Sequence, residues 1–429
     1  MVADNVNDEG LNIASRAVLQ VNSTTYRWPN RPVVVVCVDG CDPQYIERGL
    51  EDGILPNIRR FTETGFSTVA NSVVPSFTNP NNLSIVTGAP PEVHGISGNF
   101  FVDPDSGEDV MMNDPKFLRA GTILAAFSEK GAGIAAITAK DKLRTLLGHD
   151  LDLHNSVCFS SEKADQCRLE ENGIENVIEF VDRPLPDVYS ADLSLFVLEA
   201  GTKLLQQERF DLMYLSLTDY MQHKYVPGSP ESNDFYRRLD DCFGRLADQN
   251  VVLALVADHG MSDKARPDGS PNVIYLQDLL DEQFGKHNTR VILPITDPYV
   301  VHHGSLGGFV RVHCTNEVSA KSVIDFVSRL PGIVEALDRE TVCRRFHLPL
   351  DREGDVAVIS DGPMALGITE AKHDLAALGG FRLRSHGGIA EQRVPFILST
   401  PLNQAYAARA AAQPPNNYDI FEYAINGTD

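Results

Sequence analysis

Six short runs of apolar residues, most of them rich in β-branched side chains, recur along the chain and predict buried strands. The clearest covers residues 251–257, where seven consecutive small or apolar residues give the pattern of a strand buried on both faces. The other runs are residues 33–38, 66–73, 132–137, 211–217 and 394–399. Segments between them predict helices, among them residues 55–64, 122–130, 193–207 and 235–247. This alternation indicates an α/β protein with a doubly wound, mostly parallel sheet.

The pattern changes between residues 265 and 378, and the change predicts a second domain. This segment contains short sequences typical of strands and one predicted helix, which covers residues 317–329. The strand-like sequences are residues 289–294, 299–302, 308–313 and 355–360. We interpret residues 265–378 as a smaller inserted α+β cap on a core formed by residues 1–264 and 379–429. His302 and His303 lie in the cap and are interpreted as an ordinary strand-end pair, and residues 1–30 are expected to form a loosely structured lead-in.

Metal-ligand side chains follow several predicted strands at their C-terminal ends, the edge where open α/β sheets bind ligands. Asp219 and His223 are four residues apart, which places both side chains on one face of a helical turn. Each of these residues alone has an ordinary explanation, such as a helix cap, but together they suffice for two metal sites. Mixed Asp and His ligation suits Zn²⁺, with Mn²⁺ and Fe²⁺ also chemically suitable. The set is Asp39, Asp219, His223, Asp258, His259 and His386.

Three further residues have an ordinary structural interpretation that competes with a functional one. Thr78 lies at or just before the start of a predicted helix that has Pro80 in its first turn and ends at Gly88. It is an N-cap threonine in one interpretation and, in the other, a nucleophile directed at an anion bound by helix N–H groups. Lys140 and Lys142 follow a predicted strand, where charged residues usually form a solvated turn.

Charge and composition exclude several classes of function. The 429-residue chain has a formal net charge of −22, so it lacks the basic surface that nucleic acids and anionic membranes attract. No apolar run reaches the length of about eighteen residues that a membrane span needs. The acidic N-terminus is unlike a signal peptide, and seven cysteines without paired spacing favour reduced thiols, so a cytoplasmic location is expected. The sequence leaves the oligomeric state open, a homodimer included.

The residue types in these motifs, and the order of the motifs along the chain, resemble those of the alkaline phosphatase superfamily. The resemblance covers roughly residues 33–105 and 211–262 and returns at His386. It implies two Zn²⁺ ions per chain and a nucleophilic Thr78. By this resemblance the first ion is held by Asp39, Thr78, Asp258 and His259, and the second by Asp219, His223 and His386.

The threonine indicates a branch of the superfamily. Thr78 is similar to the nucleophile of nucleotide pyrophosphatases and phosphodiesterases, whereas alkaline phosphatases and cofactor-independent phosphoglycerate mutases use serine. Sulfatases need Cys or Ser in a C/S-x-P-x-R motif, and no arginine follows here. The strings SFTNPNNLSIVTG, GISGNFF, ITAKDKLR and YMQHKYVPG resemble the phosphonoacetate hydrolase family. That resemblance implies that Asn99 and Thr78 bind phosphonyl oxygens, and that Lys140 and Lys142 bind the substrate carboxylate.

The implied reaction is zinc-dependent hydrolysis of the C–P bond of a small phosphonate, phosphonoacetate, to acetate and phosphate through a phosphothreonine at Thr78. The leaving group is a carbanion, and its charge spreads into the adjacent carboxylate. Lys140 and Lys142 would stabilise that developing charge.

Two other hypotheses stay open. A phosphodiesterase or nucleotide pyrophosphatase would use the same metals and threonine but needs aromatic side chains to stack a base, for which Phe100, Phe101 and Tyr225 are candidates. A catalytically inactive metal-binding domain is the third hypothesis, and the intact hydroxyl among a full set of ligands speaks against it.

Overall fold

A computed structural model describes residues 18–296, 304–315 and 317–429 of the chain, with a seven-stranded sheet at its centre. The sheet order is Phe66–Asn71, Arg393–Leu398, Val252–Val256, Val33–Cys37, Leu212–Ser216, Ile134–Thr138 and Val157–Ser160. The last five strands in this order pair in parallel, whereas Arg393–Leu398 is antiparallel to both of its neighbours. The predicted α/β class with a mostly parallel sheet is therefore confirmed.

The five parallel strands are buried along their whole length, which explains their continuous apolar sequences. Val157–Ser160 was not predicted, because its four residues, Val-Cys-Phe-Ser, are too few to establish a period and end in a polar side chain.

Helices pack around this sheet and the loops that leave it. They are Pro43–Glu51, Pro56–Thr64, Thr78–Thr87, Pro91–His94, Ile123–Glu129, Asp141–Leu147, Leu169–Asn172, Val177–Val181, Asp192–Leu205, Tyr220–Lys224, Pro230–Ala247, Gln404–Ala412 and Ile420–Asn426. Pro230–Ala247 begins five residues before the predicted start, because Ser229 caps it and Pro230 takes its first position. Within the described ranges, none of the helices has both the length and the apolar character that crossing a bilayer demands.

Residues 18–27 form a β-hairpin in which Val18–Val21 pairs with Thr24–Arg27. The prediction of a loosely structured lead-in is therefore wrong for this part of the chain. The hairpin is held in place because Tyr26 is fully buried and Arg27 donates a 2.6 Å hydrogen bond from Nε to the carbonyl of Ile425. The rest of the predicted lead-in up to residue 17 lies outside the described residues.

A second sheet, of four antiparallel strands, lies within the segment predicted as a cap. Its order is Thr289–Ile292, Phe309–Cys314, Val356–Ser360 and Ile333–Asp338. Its buried apolar side chains form a cluster separate from that of the central sheet, together with the helices Leu276–Phe284, Ala320–Val327 and Arg339–Phe346. The domain boundaries stay a prediction. The piece predicted at residues 299–302, with His302 and His303, lies outside the described residues.

Short elements complete the described chain. Two-stranded pairings join Phe100–Val102 with Asp109–Met111, Ser262–Asp263 with Arg384–Ser385, and Val273–Tyr275 with Ala365–Gly367. Short 3₁₀ helices are Pro115–Phe117, Ala164–Gln166, Leu350–Arg352, Glu370–Lys372, Leu375–Leu378, Ile389–Glu391 and Asn417–Asp419.

Candidate metal centre and active site

Three neighbouring parallel strands direct three aspartates to one edge of the central sheet. Asp39, Asp219 and Asp258 each lie just beyond the C-terminal end of a strand, and all three are buried. Gly40 permits the first two to approach each other: its φ is +69°, and a Cβ at this position would lie 2.8 Å from Cβ of Asp219. A glycine is therefore required here both by backbone conformation and by space.

His259 lies at the centre of the first group of predicted ligands. Its Nε2 is 3.2 Å from Oδ1 of Asp39 and 3.7 Å from Oδ2 of Asp258. The hydroxyl of Thr78 is 3.4 Å from the same nitrogen. The structure thus brings together all four residues that the family resemblance implies for the first ion.

The second group converges on a single carboxylate oxygen. Oδ2 of Asp219 lies 2.8 Å from Nε2 of His223 and 3.6 Å from Nε2 of His386. The turn Tyr220–Lys224 sets the four-residue spacing on one helical face, as predicted. His259 is close to both groups, since one ligand atom each from Asp219, His259 and His386 lies within 4.8 Å of the others.

Hydrogen bonds at Nδ1 fix the tautomer of all three histidines. A backbone carbonyl only accepts, so each Nδ1 carries a hydrogen, and Nε2, which faces the carboxylates, is the atom left to bind a metal. The pairs are His223 with the carbonyl of Arg384 at 2.7 Å, His259 with that of Gly260 at 2.9 Å, and His386 with that of Ser76 at 2.8 Å. Three aspartates and three histidines held in this way form a donor set that fits divalent metal ions by ligand type and orientation.

Burial and the charges of neighbouring side chains shift the pKa values of the predicted metal ligands. Burial, reinforced by Asp219 and Asp258, raises the pKa of the Asp39 carboxyl well above its usual value. Burial acts to lower the pKa of His259, but the surrounding carboxylates, Asp258 and Asp39 foremost, outweigh it and raise the pKa to about 10. Burial and the neighbouring His259 hold the pKa of His386 well below its usual value. Several carboxylates crowded in a buried space favour binding of positive charge.

Thr78 is the first residue of the helix Thr78–Thr87, and the capping position belongs to Phe77, which makes no side-chain cap. The N-cap interpretation of Thr78 therefore does not apply. Its side chain is partly exposed, whereas residues 79–87 are all buried. The helix ends at Gly88, in the left-handed conformation, as predicted.

A pocket opens above Thr78 and includes every predicted substrate-binding side chain. Its walls are Asp39, Thr78, Asn99, Thr138, Lys140, Lys142, Leu143, Ser216, Leu217, Thr218, Asp219, Ile295 and His386. Lys140 directly precedes the helix Asp141–Leu147, and Lys142 lies in its first turn, so neither is in a simple solvated turn. Both lysines are partly buried, and Nζ of Lys140 lies 5.2 Å from the ring centre of Tyr189.

Asp141, which separates the two lysines in sequence, has cationic partners of its own. Its carboxylate accepts hydrogen bonds of 2.9 Å from Nε of Arg144 and from Oγ of Ser160, and lies 2.9 Å from Nζ of Lys163. Since these contacts balance its charge, Asp141 does not make the lysine end of the pocket acidic.

The aromatic residues considered for stacking a base do not line this pocket. Phe101 is fully buried and packs edge-on against Phe117, with ring centroids 5.3 Å apart. Tyr225 packs against Phe381 instead.

Two buried side chains that support the site were missed by the sequence analysis. Asn82 donates a hydrogen bond of 3.2 Å to Oδ2 of Asp258, and its own carbonyl accepts from Tyr214 and Ser216. Glu391 accepts from the backbone N–H of Gly388 at 2.9 Å and pairs with the fully buried Lys264 at 2.9 Å. The only sequence signal for Asn82 is a run of asparagines in a helix that must be buried, and Glu391 gives none.

Comparisons with known proteins agree with this geometry. Residues 33–373 match the family model described as type I phosphodiesterase / nucleotide pyrophosphatase. The chain is 49% identical to the phosphonoacetate hydrolase from Sinorhizobium meliloti 1021, solved in complex with phosphonoformate and with phosphonoacetate. The TM-score is 0.91, over 96% of this chain and 99% of that one. Murine ectonucleotide pyrophosphatase / phosphodiesterase 5 has the same fold at 18% identity, with a TM-score of 0.60 over 93% of this chain and 96% of that one.

More distant relatives are longer proteins. An uncharacterised pyrophosphatase/phosphodiesterase of Schizosaccharomyces pombe is 24% identical over 58% of this chain and 48% of its own length. Ectonucleotide pyrophosphatase/phosphodiesterase 1 of Saccharomyces cerevisiae is 27% identical over 59% of this chain and 36% of its own length. The chain thus matches half or less of these relatives. Its own match to the family model covers most of its length, and the chain therefore belongs to the type I phosphodiesterase / nucleotide pyrophosphatase family of hydrolases, in the alkaline phosphatase superfamily.

Proposed function

We propose that this protein hydrolyses the C–P bond of phosphonoacetate, giving acetate and phosphate, with Thr78 as the nucleophile. The observation that carries the proposal is the pocket that Thr78 shares with Asn99, Lys140 and Lys142. The three aspartates among the predicted metal ligands follow three neighbouring strands of the sheet, and the two lysines follow the next strand, Ile134–Thr138. A small substrate with a phosphonate at one end and a carboxylate at the other matches this arrangement. The 49% identity with a phosphonoacetate hydrolase supports the same substrate.

Two Zn²⁺ ions are proposed as the resident metals. One would be held by Asp39, Thr78, Asp258 and His259, and the other by Asp219, His223 and His386. The orientation of the three Nε2 atoms and the buried carboxylates support this ligand set. When bound, the metals supply Lewis acidity that neutralises phosphonyl charge and activates the hydroxyl and water nucleophiles.

The first chemical step is assigned to Thr78. The Thr78 hydroxyl gives its proton to solvent water as its Oγ1 forms a bond to phosphorus. The P–C bond breaks, and its electron pair moves to the carbon and into the adjacent carboxylate, so that the carbon can take up a proton from water. The ammonium groups of Lys140 and Lys142 stabilise that charge where it develops. Protonation of the carbon releases acetate and leaves a phosphothreonine.

The second step restores the enzyme. Water attacks phosphorus, the bond between phosphorus and Oγ1 of Thr78 breaks, a proton of the attacking water returns to Oγ1, and phosphate leaves. Asn99 donates a hydrogen bond to a phosphonyl oxygen in the first step and to a phosphoryl oxygen in the second. The N-terminus of the helix Thr78–Thr87 adds favourable N–H groups and a positive dipole end.

Phosphodiester hydrolysis is the second candidate, because the family model and the fungal relatives carry that activity in their descriptions. It would use the same threonine and metals. The two lysines would then have no special role.

A comparison of two substrates separates these candidates. With zinc supplied, kcat/KM for phosphonoacetate is expected to exceed that for a nitrophenyl phosphodiester by at least about 100-fold, since only the first substrate places charge on the lysines. Rapid hydrolysis of the diester beside inert phosphonoacetate would reverse the assignment and make the protein a phosphodiesterase.

A further inference from the structure

Arg311 is a fully buried arginine on the Phe309–Cys314 strand of the four-stranded sheet. It forms a bidentate ion pair with Glu353, in which Nε lies 2.6 Å from Oε2 and Nη2 lies 2.5 Å from Oε1. Both side chains have no exposed surface. A buried pair is costly to desolvate and is by itself weak evidence for stability, so its remaining contacts indicate what it does.

Those contacts lead to the segment that carries Asn99. Nη2 of Arg311 donates to the carbonyl of Ser97 at 2.7 Å and to its hydroxyl at 2.9 Å. Nη1 donates to the carbonyl of Phe100 at 3.3 Å. The guanidinium therefore hydrogen-bonds to the backbone on both sides of Asn99. The two contacts with Glu353 fix the orientation of the guanidinium.

Residues 294–295 also hold this segment through hydrogen bonds to Asn99. The N–H of Asn99 donates to the carbonyl of Pro294 at 2.8 Å, and Nδ2 donates to that of Ile295 at 3.3 Å. A Cβ on Gly98 would lie 2.8 Å from Cβ of Pro294 and 3.4 Å from Nη1 of Arg311. The segment thus packs closely against both Arg311 and Pro294, with little room for a side chain at Gly98.

A second arginine reinforces this connection. Arg352, next to Glu353 in sequence, is buried, and its Nη1 donates to the carbonyls of Gly95 at 2.6 Å and Phe117 at 2.7 Å. Arg311 and Arg352 therefore both donate hydrogen bonds to the backbone of the loop before and around Asn99.

We propose that Arg311, kept in place by Glu353, is a positioning residue for Asn99 and so sets the geometry of phosphonyl binding from outside the pocket. The proposal rests on the role given to Asn99 in the proposed function. Neither Arg311 nor Glu353 lines the pocket, so their effect on turnover must pass through the segment that they hold.

A double-mutant cycle tests this dependence. The pair is replaced together, Arg311→Met with Glu353→Leu, because loss of one partner alone would leave a buried charge. In the otherwise unchanged protein, kcat/KM should fall about tenfold to a hundredfold, as expected for a contact group displaced by about 1 Å. In the Asn99→Ala background the same replacement should change kcat/KM by less than about twofold, because the group it positions is absent.

A full tenfold or greater loss in the Asn99→Ala background would overturn the proposal, as would unchanged kcat/KM in the unmodified background. Should the paired variant not fold, Arg311→Lys enters the same cycle: it keeps the charge next to Glu353 but not the fork that reaches both carbonyls.

Val323→Ala is the control for general destabilisation. Val323 is buried in the apolar cluster of the four-stranded sheet, so the change should lower the unfolding midpoint and leave kcat/KM within about twofold in both backgrounds. The cycle is measured on phosphonoacetate and on the diester. If only the diester is turned over, the proposed substrate is wrong, but the coupling between Arg311 and Asn99 is still determined.

Discussion

The imidazole rings of His259 and His386 stack face to face, with centroids 3.5 Å apart and planes 7° from parallel. Each ring comes from a different loop, and each is fixed by its own Nδ1 hydrogen bond to a carbonyl. The two groups of predicted ligands are therefore adjacent, with the stacked rings of His259 and His386 at the boundary between them. In the proposed reaction, two metal ions held in these adjacent groups would stabilise both the attacking oxygen and the phosphonyl oxygens.

Replacement of Thr78 tests the covalent mechanism. Thr78→Ala should lower phosphate release by at least about three orders of magnitude, because it removes the hydroxyl that lies 3.4 Å from Nε2 of His259. Metal content, measured by elemental analysis, should stay near that of the unmodified protein. Thr78→Ser, which keeps a hydroxyl, is the matched control and should retain measurable turnover. Phosphate release by the alanine variant at more than about a tenth of the normal rate would exclude Thr78 as the nucleophile.

Replacement of Lys142 tests recognition of the carboxylate. Lys142→Ala should reduce kcat/KM for phosphonoacetate by about 100-fold, through loss of a charge that stabilises the transition state, and change diester hydrolysis by less than about threefold. Lys163→Ala is the control, since Lys163 pairs with Asp141 and lies outside the pocket. Equal losses on both substrates would mean that Lys142 does not bind the carboxylate.

Replacement of Asn82 tests the hydrogen bond that orients Asp258, one of the predicted metal ligands. Asn82→Ala takes away the amide that orients Asp258 and should weaken zinc affinity by about tenfold to a hundredfold. Competition with a chelator of known affinity measures this change. An unaltered zinc affinity would show that Asp258 is held sufficiently by the backbone N–H groups of Gly40 and His259.

His94 gives a prediction about stability and pH. It is fully buried, and burial, with a smaller effect of Arg352, lowers its pKa from 6.5 to about 3. The unfolded chain therefore binds a proton that the folded chain does not, so the contribution of His94 to stability is present above pH 6.5 and is lost as the pH falls towards 3.

The free energy of unfolding should accordingly fall more between pH 7.5 and pH 5 in the unmodified protein than in His94→Gln, by about 2 kcal/mol. Urea denaturation at the two pH values measures it. His154→Gln, at a side chain that is 95% exposed, is the control and should behave like the unmodified protein. An identical pH dependence in the His94 variant would contradict the prediction.

Removal of metal tests the ligand set as a whole. A chelator should abolish activity and lower the unfolding temperature, because the buried carboxylates then repel one another, and two equivalents of Zn²⁺ per chain should restore both. Full activity of metal-free protein, or restoration by a single equivalent, would count against a two-metal centre.

The sequence was sufficient for those features that depend on a local pattern. Asp39, Asp219 and Asp258 follow continuous apolar runs, and the ends of neighbouring parallel strands must meet, so their proximity could be predicted. Lys140 and Lys142 needed the family resemblance, because charged residues after a strand are usually solvated.

Other features have no local pattern to reveal them. The ion pair of Arg311 with Glu353 joins residues 42 positions apart, and the contact of Asn82 with Asp258 joins residues 176 apart. Such contacts depend on how the elements pack, which periodicity does not describe. The hairpin at residues 18–27 was missed for a related reason: its strands are four residues long, and their stability comes from docking on the C-terminal helix.

The most direct test of the central claim follows the products of phosphonoacetate with the zinc-loaded protein by phosphorus and proton NMR. We expect the phosphonate signal to be replaced by that of inorganic phosphate while acetate appears in equal amount, and Thr78→Ala to give neither product. An unchanged phosphonate signal, under conditions in which the same sample hydrolyses a nitrophenyl phosphodiester, would contradict C–P bond hydrolysis.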